Sequence, residues 1–217
     1  MSAALLSALA ADIFNGSDRT SPAQRAVQEQ RAADARAMEQ TLVARVRAGD
    51  EAAFRALMQE YFPRIARFAM GIVGARDVAD DIAQDVLASV WAQHTTWAPA
   101  HSIKAYLFGS ARNRALNELK RRRVRASAAP VITEALEYHA ASAPSAVDDV
   151  VIGEMIVALR RLVAHLPERR RTAIRLRYEE GLTYPAIAEI LSVSVKSAEQ
   201  LVALTVQSLR KGLRRFR

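Results

Sequence analysis

Between Leu42 and Gly74 the apolar positions fall at steps of three and four. Phe54, Leu57, Met58, Tyr61, Phe62, Ile65, Phe68, Ala69 and Ile72 therefore share one face of an α-helix. Asp50 stands just before the run as an N-cap, and Pro63 inside it is a candidate kink or break. A second run, "ARDVADDIAQDVLASVWAQH", carries the apolar row Val78, Ile82, Val86 and Val90. Beside that row, also four apart, lie Asp77, Asp81 and Asp85. After the loop "TTWAPAHS", a third run from Ile103 to Arg125 repeats the helical spacing through Tyr106, Leu107, Ala111, Ala115 and Leu119.

The last third of the chain predicts four further helices. "VIGEMIVALRRLVAHL" stops at Pro167, and "PERRRTAIRLRYEEG" has Pro167 at its start and Gly181 past its end. Thr183 can cap "YPAIAEIL", with Pro185 in the first turn, and Ser194 can cap a last helix reaching about Arg215. The final pair, "LTYPAIAEILSVSVKSAEQLVAL", reads as a helix-turn-helix. Ala188 is small where the two helices meet, "SVSV" makes the turn, and Ser192 stands where glycine is usual.

The pattern predicts an all-α protein of two small helical domains joined by a flexible acidic linker, the second a helix-turn-helix. The boundaries fall at 1–40 for a poorly ordered extension or loosely attached helix, 41–125 for the first domain, 126–151 for the linker and 152–217 for the second domain. The Ala, Ser and Pro of "AASAPSAVDD" mark the linker. Met38 is an alternative start, because organised pattern begins just after it. The N-terminus has a short apolar stretch without a basic lead-in, so no secretory signal is expected.

Composition narrows the function. With hydrophobic residues at 51% the chain can bury a core, and with 8 glycines it has little turn punctuation. It has no cysteine, which excludes thiolate metal sites and suits the cytoplasm. No apolar run approaches a membrane span. The four histidines, His94, His101, His139 and His165, form no tight ligand spacing, and no phosphate-binding glycine loop is present. No enzyme activity, metal or other cofactor is expected.

The net charge of +8 favours an anionic partner. It is unevenly spread, at −1 over residues 1–40, +6 over 41–125, −4 over 126–151 and +7 over 152–217. Arg112, Arg114, Lys120, Arg121, Arg122, Arg123 and Arg125 stand on one helix against the single acid Glu118. A helix C-terminus attracts one or two cations; seven repel one another and call for nucleic acid. Trp91, Trp97, Tyr106 and Phe108 lie just upstream, either as core or as surfaces on which unpaired bases stack. The acidic row, Asp77, Asp81 and Asp85, either complements a helix dipole or forms a partner-binding face.

Taken in order, "DEAAFRALMQEYFPRIARFAMGIVG", "DVADDIAQDVLASVWAQ", "SIKAYLFGSARNRALNELKRRR" and "LRRLVAHLPERRRTAIRLRYEEGLTYPAIAEILSVSVKSAEQLV" resemble a bacterial RNA polymerase sigma factor of the small extracytoplasmic-function group. The resemblance covers roughly residues 40–217. It implies that the helix around Asp77–Trp91 docks on the clamp helices of the polymerase β′ subunit, through Asp77, Asp81, Gln84 and Asp85. It implies that "SARNRALNELKRRR" opens and holds the minus-ten promoter element. There Arg112 and Asn113 separate the strands, Arg114, Lys120, Arg121, Arg122 and Arg123 hold DNA, and the loop Gln93–Ser102, with Trp97, captures an unstacked base.

The same resemblance implies that the last two helices bind the minus-thirty-five element in the major groove. Ser194, Lys196, Ser197, Glu199 and Gln200 are the candidates at base edges and backbone. Arg171 and Arg177, with Arg169, Arg170, Arg175, Arg210, Lys211, Arg214 and Arg215, are the candidates at phosphates. The chain departs from the family pattern at Tyr106, where tryptophan is frequent. It departs again at Glu199, Gln200, Leu201 and Leu204, where Lys, Ser or Arg are common. Ala198-Glu199-Gln200 leans toward the iron-uptake regulator branch. The partners implied are core RNA polymerase, promoter DNA and, as is common in the family, an anti-sigma factor, with no membrane insertion. Two other readings are a stand-alone helix-turn-helix regulator and a degenerate sigma-like adaptor that buries Leu201 and Leu204 against a partner.

Overall fold

The computed structural model describes residues 9, 10, 13, 22–128 and 150–214. The described elements are helical throughout, and they fall into two units. Most of the expected linker, 129–149, lies outside the described residues, and its two ends continue the flanking helices.

The first unit holds α1 (Pro22–Arg47), α2 (Glu51–Val73), α3 (Arg76–Ala92), a short 3-10 turn (His94–Thr96) and α4 (Ile103–Ala128). Helix α1 starts well inside the segment read as an extension. Val46 near its end is fully buried. Gly49, at φ 79°, then turns the chain into α2. Asp50 caps α2 as its sequence position predicts, accepting the Ala53 N–H at 3.0 Å. Arg45 also reaches the Asp50 carboxylate at 2.8 Å. Helix α2 runs through Pro63, which sits on its exposed face, where water can take up the carbonyl that the ring frees.

Helices α2, α3 and α4 pack on one another. Ile65, Phe68, Ala83, Val86, Leu107 and Phe108 fill their interior. Phe68 and Phe108 meet edge to face at 5.1 Å, a favoured aromatic geometry. Ile82, Val86 and Val90 of the predicted row are buried, and Val78 is half-buried.

The second unit holds α5 (Val150–Ala164), α6 (Glu168–Ile174), a π-helical turn (Arg175–Glu179), α7 (Tyr184–Leu191) and α8 (Val195–Gly212). Leu9 and Ile13 are also part of it, both almost fully buried. Ser192 ends α7 in the left-handed region at φ 53°. Ala188 and Ala198 are buried, as close packing of α7 on α8 requires. Gly212 lies beneath Leu162 of α5, where a Cβ would come within 2.7 Å.

Candidate nucleic-acid interface

Helix α3 splits cleanly into two faces. Ala79, Ile82, Ala83, Val86, Leu87 and Val90 are buried, whereas Asp77, Asp81, Gln84 and Asp85 are exposed. Only the first turn needs an acid for the helix dipole, and Arg76 lies 3.8 Å from Asp80 there. Asp85, two turns further on, is 3.6 Å from Arg114 of α4. Between the two helices opens a cleft of about 310 Å³ that joins Asp81 and Asp85 to Arg114, Asn117 and Arg121.

Helix α4 is apolar beneath and cationic above. Ile103, Ala105, Leu107, Phe108, Ala111 and Ala115 face inward. Asn113, Lys120, Arg121, Arg123 and Arg125 are exposed, and Arg112 is half-buried. Arg114 and Arg122 are held within the unit. The Arg114 guanidinium donates to the Ser89 hydroxyl at 2.6 Å. Arg122 donates to Glu118 at 3.2 Å and, at a longer 3.5 Å, to the Val73 carbonyl at the end of α2. The exposed cations outnumber these two, so the outer face of α4 presents a positive surface.

The loop before α4 differs from expectation at Trp97. Its ring is 3% exposed and packs edge-on against Tyr106 at 5.9 Å, so it lies inside the unit instead of facing a base. Ala98, Ala100 and His101 form the exposed part of the loop. Trp91 is half-buried, tilted against Phe54 and stacked with His94.

In the second unit, α8 presents Lys196, Ser197, Glu199 and Gln200 to solvent. Ser194 caps it, accepting the Ser197 N–H at 3.1 Å, and the two hydroxyls are 2.8 Å apart. Leu201 is half-buried and Leu204 is 47% exposed. The arginines expected to grip phosphates from the preceding helix also make contacts within the unit. Arg171 donates to the Ala164 carbonyl at the end of α5, at 2.9 Å. Arg169 donates to the Leu191 carbonyl at the end of α7, also at 2.9 Å. Arg177 donates to the Leu182 carbonyl and lies over the Tyr184 ring at 4.9 Å.

Arg175 is 6% exposed and bonded to Glu179 at 3.1 Å, which removes it from any phosphate. Cations at helix C-termini satisfy orphan carbonyls, and that role explains Arg169 and Arg171. Lys211 and Arg214 are exposed at the end of α8, and Arg215 lies outside the described residues.

Sequence reasoning missed three residues that shape these surfaces. Ser89 orients Arg114. Glu39 accepts the N–H of Ile103 at the head of α4. Arg47 donates to the Thr95 carbonyl at 3.4 Å. No local pattern marks them, because their partners lie 25 to 64 residues away. Among the described residues, no three His, Asp or Glu side chains are grouped to hold a metal ion. No described helix is long and apolar enough to cross a membrane.

Comparison with known proteins yields two family models, Sigma-70 region 2 over residues 57–125 and Sigma-70 region 4 over residues 156–209. The ECF RNA polymerase sigma factor RpoE of Cereibacter sphaeroides is 29% identical over 165 residues, spanning 76% of this chain and 88% of that protein. The ECF RNA polymerase sigma-E factor of Haemophilus influenzae is 30% identical over 162 residues, spanning 72% of this chain and 85% of that protein. Among solved structures, the sigma factor RpoE in complex with the anti-sigma factor NepR from Bartonella quintana matches with a TM-score of 0.56 at 23% identity. The match covers 74% of this chain and 96% of that one. CnrH in complex with the cytosolic domain of CnrY matches with a TM-score of 0.54 at 18% identity, over 81% of this chain and 96% of that one.

Proposed function

The chain belongs to the extracytoplasmic-function (ECF) group of RNA polymerase sigma factors, and from that premise we propose how its two units divide the work. It is a sigma factor, which directs core RNA polymerase to promoters. One observation carries this: region 2 and region 4 follow one another in a single chain, at 57–125 and 156–209. The stand-alone regulator reading accounts for the second match and leaves the first without a role.

In this division, the exposed α3 face with Asp77, Asp81, Gln84 and Asp85 docks on core polymerase. The outer face of α4 holds the minus-ten element, through Arg112, Asn113, Lys120, Arg121 and Arg123. Helix α8 reads the minus-thirty-five element from Ser194, Lys196, Ser197, Glu199 and Gln200. The exposure of these side chains, all but the half-buried Arg112, supports the assignment. The chain performs no chemistry of its own and acts in the cytoplasm with the polymerase. An anti-sigma factor is the partner proposed for the exposed Leu204. A finer placement, in the iron-uptake regulator branch, rests on Ala198-Glu199-Gln200; it is checked by whether iron-acquisition transcripts rise when the protein is overproduced.

The deciding experiment adds the full chain to core polymerase on fragmented genomic DNA and maps transcript 5′ ends. Discrete new start sites are expected. Tight duplex binding by the protein alone, without new starts, would replace this reading with the stand-alone regulator. Neither result would leave the adaptor.

A further inference from the structure

We propose that α1 positions the promoter-reading loop between α3 and α4, with Glu39 and Arg47 as the two positioning residues. The proposal rests on the minus-ten role given to that loop and to α4. Both side chains precede the segment that matches region 2, which begins at residue 57.

The first N–H groups of a helix have no partner within it. At the head of α4, the Ser102 hydroxyl takes the Ala105 N–H at 3.0 Å. The Ile103 N–H goes to the carboxylate of Glu39, 64 residues earlier. Ile103 is 1% exposed, so loss of that acceptor leaves its donor with little access to water. The negative charge also suits a helix N-terminus.

At the other end of the loop, Arg47 donates to the Thr95 carbonyl. Glu39 and Arg47 are eight residues apart on one helix, about 12 Å along its axis. Helix α1 is itself fixed, by the buried Val46 and by the Arg45–Asp50 pair at the turn into α2. A loop held at one end can swing about that point. Held at both ends by a single rigid bar, it has one aperture.

That aperture is a cavity of about 340 Å³ between α1 and the loop. Val43 and Pro99 give it apolar walls, while Arg36, Gln40 and His101 give it polar ones. An unstacked base with its phosphate has matching chemistry, a flat apolar face beside an anion. Shortening Glu39 releases the loop at its α4 end and changes the cavity's width without touching the α3 docking face.

The test uses holoenzyme assembled from the full chain and core polymerase, selecting from a pool of single-stranded 12-mers randomised at every position. Glu39→Ala is expected to flatten the base preference at one or two positions by about fivefold or more. Its affinity for core polymerase should stay at the wild-type value. Glu39→Gln, whose amide oxygen still accepts the Ile103 N–H, should keep the wild-type preference. Arg47→Ala, at the opposite anchor, should flatten the same positions, and it carries the test should Glu39→Ala fail to fold. Unchanged selection by Glu39→Ala and Arg47→Ala overturns the proposal, as does a Glu39→Gln profile identical to that of Glu39→Ala. A wild-type holoenzyme that selects no base overturns the minus-ten reading itself, and the proposal with it.

Discussion

Asp85 on α3 and Arg114 on α4 face each other at 3.6 Å, across the cleft that separates the proposed polymerase-docking face from the proposed promoter-binding face. The pair is open to solvent, with the two side chains 67% and 39% exposed in that order. Exposed ion pairs contribute at most about 1 kcal/mol. Reversing charge with Asp81→Lys and Asp85→Lys should therefore abolish capture of core polymerase in a pull-down and shift the melting temperature by only a few degrees. Undiminished capture would remove α3 as the docking face.

On α4, exposure separates cations for DNA from cations for the fold. Arg121→Ala with Arg123→Ala should weaken binding to all sequences. The salt dependence should flatten by roughly 0.7–0.9 log unit for each lost phosphate contact. Arg122→Ala should instead lower stability, by about 0.5–1 kcal/mol, because it loses Glu118 and the Val73 carbonyl. Arg112→Ala with Asn113→Ala should impair strand opening, read by permanganate reactivity, more than it impairs formation of the closed complex.

The helix-turn-helix should show the same separation. Gln200→Ala and Glu199→Ala should each change the preferred base at one or two upstream positions, at about 1–3 kcal/mol per good contact, and leave unfolding unchanged. Arg171→Ala should do the reverse, costing about 1 kcal/mol of stability through the Ala164 carbonyl it leaves unpaired and leaving base preference alone. A randomised upstream-element library and a urea melt read the two effects separately.

Ser192 occupies a conformation that costs an L-residue about 1–2 kcal/mol, a strain glycine does not feel. Part of that gain is offset by glycine's greater freedom when unfolded. Ser192→Gly should stabilise the second unit by about 0.5–1 kcal/mol, seen as a higher urea midpoint with an unchanged slope.

Asp50 gives a pH signature. The Ala53 N–H, followed by Arg45, holds its carboxyl below the usual carboxylate range. A depressed folded-state value means that the cap's contribution is complete above the ordinary aspartate range and is lost as pH falls through the lower folded value. Wild-type protein should lose stability on acidification below about pH 4 more steeply than Asp50→Asn, which accepts the same N–H without titrating.

The helices were legible because their evidence is local. Ile82, Val86 and Val90 are four apart in sequence and share one buried face, and Ser194 caps the helix that starts beside it. What stayed hidden depends on distant neighbours. Arg175 and Glu179 have the spacing of an ordinary surface pair, and burial in a π-helical turn leaves no trace in that spacing. Trp97 had two readings in the sequence, and its burial against the edge of Tyr106 depends on packing that the spacing does not show. Glu39 sits in an unremarkable mixed-charge stretch, while its partner is 64 residues away. The arginines of α6 could be counted from sequence, but the carbonyls that claim them belong to the ends of other helices.

Leu9 and Ile13 are buried with the last helices of the chain, whereas α1, from Pro22, belongs with the first. The backbone therefore passes between the two units twice, once after Ile13 and once through 129–149. Two separately expressed halves, one ending and the other beginning in 129–149, are therefore expected to co-purify, and halves carrying Leu9→Asp and Ile13→Asp are expected to separate.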